Sequence, residues 1–367
     1  MKDQRKFIHF HCFVFLFIIY PFTLSSTEYL TVGGEKYGWE VSVHPDRGTI
    51  KQFRQLMGDV WETIPFRDDS LAGPAWSGMQ LCPSKKQLYV FEAHQGDIYY
   101  TLRYKAAYDH LIVECTISNR GDDVFRPEYS RLFIGVDSEM KTYPDWDTKF
   151  FPTLLRCEKD FAWGYFMSPR QIIMGIGVEE PVASYTLNYV YEGSMEWKWG
   201  HQIKTGSLDL LHCLPLPERH PQNNISLKPH ETRKWTLHLG VVDRLAGVKE
   251  KLSQWIQAPM IECEKYTMAG HETSRLLIHS QSGLEKVIVK APDGTQSVLP
   301  VDGVADNVYS ALFSPSSQKG LYRITATAIN GKTAEASIYI RNPWSWYMKN
   351  ARDFVARNPP LFSNGCE

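Results

Sequence analysis

Apolar and polar residues alternate along much of the chain between residues 28 and 242. The segments 98–104 and 235–241 show this pattern most clearly, with an apolar side chain at every second position. A period of two indicates strands with one buried face. Further strands are expected at 40–43, 88–91, 131–136, 171–178, 184–190 and 207–213. Because successive strands follow without intervening helices, the pattern predicts a large antiparallel sandwich over residues 27–243.

Helical spacing replaces this alternation at 244–259. Leu245, Val248 and Leu252 recur every three or four residues, and Asp243 precedes them as an expected N-cap. The spacing predicts a linker helix at the boundary between two domains.

Short strands return over residues 260–342. The turn formers Pro292-Asp293-Gly294 and Asn330-Gly331 separate alternating segments, and Asn-Gly is a strong signal for a tight hairpin. About 80 residues with this rhythm are typical of an immunoglobulin-like sandwich. The sequence therefore predicts a mainly β protein, in which a large antiparallel supersandwich is followed by a small Ig-like β-sandwich.

One amphipathic helix is expected in the last segment, residues 343–367. Pro343 suits its first turn, and Pro359-Pro360 ends it. Its wide apolar stripe requires partners, and no further residues follow to supply them. We therefore expect an exposed stripe and the first helix of a truncated helical domain. The stripe consists of Trp344, Tyr347, Met348, Ala351, Phe354 and Val355.

The first 26 residues have the pattern of an export signal. Lys2, Arg5 and Lys6 precede an apolar run at 13–20, and small polar residues follow it. This run is shorter than the roughly 20 residues that span a bilayer. We expect cleavage, with the mature protein secreted or periplasmic and not attached to a membrane; a retained signal anchor is the alternative.

Charge and motif content exclude several classes of function. The 40 basic and 41 acidic residues are dispersed, so the basic surface of a nucleic-acid-binding protein is missing. The chain has neither a phosphate-binding glycine loop nor a G-x-S-x-G motif, and no cofactor is expected. Its 11 Trp residues suit stacking on sugar rings, although large aromatic residues also fill sandwich cores.

The segment 143–170 holds the densest set of candidate site residues. Asp145, Asp147 and Glu158 are candidate catalytic carboxylates, because glycosidic-bond cleavage needs one acid and one base or nucleophile. The alternative is a long aromatic-rich loop that packs on a neighbouring sheet. Asp145 and Asp147 lack the further acidic positions of a calcium loop, so no metal is predicted. Glycan contacts are expected from Trp146, Trp163, Trp197, Trp199 and Arg170.

Three motifs carry a resemblance to a known architecture. Asp46-x-Gly48-x-Ile50 is similar to the opening of the galactose-mutarotase-like supersandwich. The segment 227–237, LKPHETRKWTL, resembles the closing strands of that domain. The segment 341–347, RNPWSWY, resembles the approach to a six-hairpin (α/α) toroid. This order of parts is found in bacterial glycoside hydrolases and polysaccharide lyases that act on uronic-acid-containing glycans.

The resemblance implies an exported carbohydrate-active enzyme whose toroid carries the catalytic residues. Since the chain includes at most the first toroid helix, we expect the non-catalytic N-terminal portion of such an enzyme, packing on a toroid that is separately encoded or missing. Its expected partner is a polysaccharide or oligosaccharide, with uronic acids as one possibility. Two alternatives stay open: a self-sufficient hydrolase or sugar epimerase, and a stand-alone glycan-binding protein.

Overall fold

The computed structural model describes residues 28–66, 70–71, 74–135, 150–191, 201–212, 222–316 and 318–358. Most of these residues lie in antiparallel strands, which confirms the mainly β prediction. The strands before residue 243 are β1 (Leu30–Gly34), β2 (Trp39–Val43), β3 (Ile50–Met57), β4 (Val60–Pro65), β5 (Gln80–Leu81), β6 (Leu88–Gln95), β7 (Ile98–Ala106), β8 (Leu111–Asn119), β9 (Tyr129–Ile134), β10 (Phe151–Cys157), β11 (Ala162–Met167), β12 (Ile173–Val178), β13 (Ser184–Tyr191), β14 (His201–His212) and β15 (Thr232–Val242).

These strands form three sheets, which we call together the large sandwich. One sheet has eight strands in the order β10-β11-β12-β15-β8-β7-β6-β5. The other two have the orders β1-β2-β3-β4 and β13-β14-β9. Apolar side chains from all three sheets, among them Phe53, Leu102 and Leu208, meet in one buried core. Burial of this apolar surface is the main force that holds the sheets together.

Alternation places the expected residues in that core. On β7, Tyr100, Leu102 and Tyr104 are buried, whereas the residues between them are half-buried or exposed. On β8, Cys115 is fully buried on the inward face. The period of two is therefore a correct guide to the buried faces of β7 and β8.

The alternative interpretation of 143–170 as one long loop is wrong for the second half of that segment, which forms β10 and β11. Successive residues of β11 are buried on both faces, because the core lies on one side and later parts of the chain lie on the other. A strand that is covered on both faces loses the alternation by which it would be recognised. The sequence also does not predict β3 and β4.

Three glycines make a smooth patch on the outer face of the eight-stranded sheet. Gly175 on β12 pairs with Gly240 on β15, and Gly177 lies two residues further along β12. Helix α1 (Val248–Ile256) packs against this patch. An added Cβ at Gly177 would lie 2.4 Å from the Cγ2 of Ile256. The missing side chains thus allow the helix to approach the sheet closely.

The start of α1 differs from the prediction. Leu245–Gly247 forms a 3₁₀ turn, and Gly247 rather than Asp243 occupies the N-cap position of the α-helix.

The C-terminal carbonyl groups of α1 receive hydrogen bonds from a later turn: Lys332 donates to the carbonyl of Ile256 at 2.8 Å. Asn330 donates to the carbonyl of Gln257 at 2.7 Å.

Residues 260–341 form two further sheets, which we call the small sandwich. Their orders are β16-β18-β22-β21 and β17-β24-β23-β19-β20. The predicted Asn330-Gly331 hairpin joins β23 and β24, with Gly331 at φ 85°. The strands are β16 (Met260–Cys263), β17 (Thr267–Ala269), β18 (Ser274–His279), β19 (Leu284–Lys290), β20 (Gln296–Val298), β21 (Asp302–Ala305), β22 (Val308–Phe313), β23 (Gly320–Ala328) and β24 (Thr333–Arg341).

The two sandwiches share apolar contacts. One buried cluster includes Trp163 from β11, Leu252 from α1 and Ile338 from β24. A final helix, α2 (Trp344–Arg357), follows the small sandwich, as predicted. Among the helices in the described ranges, none has the length and hydrophobicity needed to cross a membrane.

Candidate functional site

Five of the predicted site residues lie outside the described part of the chain. They are Asp145, Trp146, Asp147, Trp197 and Trp199. The described candidates are Glu158, Trp163 and Arg170.

Glu158 and Trp163 come together at the turn between β10 and β11. The Glu158 backbone N–H donates to the carbonyl of Phe161 at 2.8 Å, which closes the turn. The indole Nε1 of Trp163 donates to Oε1 of Glu158 at 3.4 Å. Arg156 pairs with the same carboxylate oxygen, at 2.5 Å from its Nε. The carboxylate is therefore held by a cation and an indole from its own hairpin.

This group lies in the seam between the two sandwiches. Arg156 also donates to the backbone carbonyl of Glu335 on β24, at 2.6 Å. The seam encloses a cavity of about 20 Å³, lined in part by Lys249 and Tyr266. A cavity of that size holds about one water molecule, so it does not admit a sugar ring. Burial raises the pKa of Glu158, although Arg156 counteracts this effect.

Arg170 lies beyond the other end of β11. Its guanidinium pairs with Glu62 of β4 at 3.1 Å, and both side chains keep partial contact with solvent. The structure therefore brings Glu158 and Trp163 together and leaves Arg170 apart from them.

A buried network that the sequence analysis missed lies beneath α1. Asp109 and His110 precede β8, His238 lies on β15, and Glu179 follows β12; we call these four residues the histidine network. An Asp109 Oδ1 lies 2.7 Å from His110 Nδ1, and His110 Nε2 lies 2.8 Å from His238 Nδ1. His238 Nε2 in turn lies 2.8 Å from Glu179 Oε1. The side chain of His238 is only 4% exposed.

Helix α1 covers one end of the histidine network. Lys251 Nζ lies 2.5 Å from Asp109 Oδ2, and the indole of Trp255 donates to the same oxygen at 3.4 Å. The ring of His110 stacks on Trp255 with a centroid separation of 4.7 Å. The network therefore joins two strands of the large sandwich to the helix that leads into the small sandwich.

The charges of the histidine network follow from these contacts. Burial acts to raise the pKa of Asp109, but hydrogen bonds from His110 and Lys251 outweigh it and hold that pKa well below the usual range. The pKa of Glu179 is likewise lowered, because its hydrogen bond with His238 outweighs the effect of burial. Burial lowers the pKa of His110. Both carboxylates are thus ionised at neutral pH.

The alternation along β15 predicts that His238 faces solvent, since the apolar residues on either side of it point to the opposite face. Thr236 and His238 are buried there, because other parts of the chain cover this face of the sheet. Two signals in the sequence point toward such cover: Gly240 on the outward face of β15, and the glycines of the adjacent β12. In the described part of the chain, no group of three or more His, Cys, Asp or Glu side chains is arranged to hold a metal ion.

The apolar stripe of α2 is exposed, as expected. Trp344, Met348 and Phe354 have 67%, 68% and 66% of their surface accessible. All 14 residues of the helix are exposed or half-buried. Exposed apolar surface of this extent on one helix face is typical of an interaction site.

Comparison with known proteins identifies similarity at the level of fold. No protein-family model and no curated protein matches the chain. A solved structure described as "Polysaccharide Lyase BACCELL_00875" is 15% identical, with a TM-score of 0.62, and the match covers 92% of this chain and 51% of that protein. The chain thus spans about half the length of this lyase and shares the fold of that half.

Two mutarotase-like structures give smaller matches. A galactose mutarotase related enzyme from Lactobacillus acidophilus is 7% identical, with a TM-score of 0.34 over 59% of this chain and 98% of that protein. A galactose mutarotase-like protein from Lactobacillus casei is 8% identical, with a TM-score of 0.33 over 59% of this chain and 100% of that protein.

Proposed function

We propose that this chain is the non-catalytic, N-terminal portion of an exported, carbohydrate-active enzyme. In this role the two sandwiches form a scaffold, and α2 packs against a helical catalytic domain. The exposed stripe of α2 carries the proposal. The similarity to about half of a polysaccharide lyase supports it, because such a lyase has as many residues again beyond the shared fold.

Helix α2 is close to the length at which a helix without partners is only marginally stable. Isolated helices shorter than about 12–15 residues are marginal in water, and most helices in proteins are stabilised by packing of an apolar face. Helix α2 has 14 residues and ends in an exposed Arg357. A helical partner that covers Trp344, Met348 and Phe354 supplies the missing packing.

The lyase comparison and the aromatic candidates support the proposed substrate class. A polysaccharide or oligosaccharide, with uronic acids as the anionic component, is the proposed ligand. Trp163 is buried in the seam, so it cannot stack on a sugar ring. The proposed stacking residues are therefore Trp146, Trp197 and Trp199. Arg170 is the proposed cation that binds a carboxylate of the glycan. The proposed site of action is outside the cytoplasm.

The α2 proposal is tested by substitutions on the stripe. Met348→Gln combined with Phe354→Gln should reduce self-association in light scattering, because both changes remove exposed apolar surface. Lys349→Gln, a change on the opposite face of the same helix, is the matched control. The proposal fails if the double variant and the control associate to the same degree.

Activity assays separate the proposed function from its alternatives. The purified protein is incubated with a soluble uronic-acid polysaccharide, and unsaturated products are followed by ultraviolet absorbance. We expect retention on the immobilised polysaccharide without turnover. Turnover by the chain alone would refute the non-catalytic role and favour a self-sufficient enzyme. Absence of retention would refute the glycan contacts.

A further inference from the structure

The geometry of the histidine network determines how many protons its contacts need. Its three contacts, from Asp109 through His110 and His238 to Glu179, measure 2.7, 2.8 and 2.8 Å. At such distances each contact is a hydrogen bond, and each hydrogen bond contains one proton between its two heavy atoms. The three contacts therefore need three protons.

Two neutral imidazoles supply one proton each, which is one too few. If His110 donates to Asp109, its Nε2 accepts from Nδ1 of His238. The Nε2 of His238 then has no proton to share with Glu179, and two acceptors face each other at 2.8 Å. The opposite tautomers leave the same conflict between His110 and Asp109. A third proton resolves the conflict in both cases.

The surroundings indicate which residue carries that proton. Both carboxylates are ionised, since hydrogen bonds and nearby cations lower their pKa values despite burial. Burial also disfavours a charge on His110, whose pKa is lowered. The remaining group is His238, whose Nε2 is in direct contact with the ionised carboxylate of Glu179.

Further charges face the network from each element that packs on it. Lys251 pairs with Asp109 and keeps that end anionic. Three further charged residues act near Glu179: Lys332 from the turn between β23 and β24, Lys234 from β15, and Glu180. The Glu180 carboxylate accepts a hydrogen bond from the Thr236 backbone N–H of β15 at 2.6 Å.

We infer that the histidine network is a buried proton-binding site, which holds one proton as a His238 imidazolium between two carboxylates. The bound proton completes the hydrogen bonds that link β12, β15 and the segment before β8 beneath α1. Loss of this proton at higher pH breaks one of the three bonds and leaves two acceptors opposed. The native state therefore needs this proton, and a rise in pH that removes it lowers the stability of the native state.

Amide substitutions test the inference without breaking the contacts. In Glu179→Gln the amide N–H₂ donates to Nε2 of His238, so two neutral imidazoles satisfy all three contacts. Asp109→Asn does the same from the other end. Both variants should remove the need for the third proton. Asp122→Asn is the matched control, because Asp122 faces His230 at 3.2 Å in an exposed pair.

The assay is chemical denaturation of the purified protein from about pH 5 to about pH 9, where histidine titrates. One proton held only by the native state changes the unfolding equilibrium constant by up to tenfold per pH unit. The advantage of the wild type over Glu179→Gln should therefore shrink as the pH rises, while Asp122→Asn stays parallel to the wild type. A difference between the wild type and both amide variants that does not change with pH would overturn the inference.

Nitrogen NMR gives a second readout that does not depend on stability. At about pH 6, His238 should show both ring nitrogens protonated, and His110 should show a proton on Nδ1 alone. In Glu179→Gln the imidazolium signal should disappear. Neutral imidazoles at both positions in the wild type would refute the inference, even if the variants fail to fold.

Discussion

Gly177→Ala is the most direct test of how α1 lies on the large sandwich. The added Cβ would be 2.4 Å from the Cγ2 of Ile256, more than an ångström short of the ordinary carbon–carbon separation of about 3.5–4.0 Å. Gly177 lies on a paired strand, and Ile256 is fully buried at the end of α1. The clash therefore cannot be relieved by rotation of an exposed side chain.

The expected loss of stability combines two opposing effects. Overpacking of a close-packed site costs about 1–3 kcal/mol. Replacing glycine by alanine returns about 0.4–1 kcal/mol, because the unfolded chain has fewer conformations. The net expectation is a destabilisation of roughly 1–2 kcal/mol, or a decrease in the melting temperature of about 2–6 °C.

Two other glycines provide graded controls in the same denaturation assay. An added Cβ at Gly175 meets Val242 Cγ2 at 3.1 Å, so Gly175→Ala should have an intermediate effect. At Gly303 on β21 no atom lies within 4 Å of the added Cβ, so Gly303→Ala should be nearly neutral. Equal midpoints for Gly177→Ala and Gly303→Ala would show that the helix is not held at this spacing.

Three further substitutions address single polar contacts. Tyr104→Phe removes the hydroxyl that donates to the buried carbonyl of Gly48, and denaturation should show a loss of about 1–3 kcal/mol. Asp160→Ala removes the acceptor for the N–H and hydroxyl of Thr333, so hydrogen exchange of that amide should accelerate. Burial raises the pKa of Glu158, so the native state keeps a proton that the unfolded chain, with a glutamate pKa of about 4.3, has already lost. The wild type should therefore lose stability as the pH rises from about 4.3 through the higher native pKa. Glu158→Gln should lack this loss, and equal pH slopes in thermal unfolding would contradict the prediction.

Local pattern predicts several strands of this fold in which one face meets solvent, although it misses β3 and β4. The alternation at 98–104 corresponds to β7, and the Asn330-Gly331 turn joins β23 to β24 as expected. The final helix was predicted because its apolar stripe has helical spacing, and Trp344 through Arg357 form it. In each case the physical cause acts between residues close in sequence.

Contacts between distant segments explain what the pattern could not predict. Strand β11 lost its alternation because the small sandwich covers it, about 100 residues later in the chain. His238 was assigned to solvent for a similar reason, since α1 and the small sandwich lie over that part of the sheet. The candidate site depends on the same distant contacts: Glu158 was predicted as a candidate catalytic carboxylate, and the Arg156 that pairs with it also donates to the carbonyl of Glu335 on β24.

The turn between β23 and β24 has a consequence for how this architecture is inherited. Its side chains satisfy the last carbonyl groups of α1, through Lys332 on Ile256 and Asn330 on Gln257. A gene truncated at residue 259 would leave those groups unpaired and would expose the apolar residues that both sandwiches share. Recombination between related genes is therefore expected to exchange the two sandwiches together rather than as two separable domains.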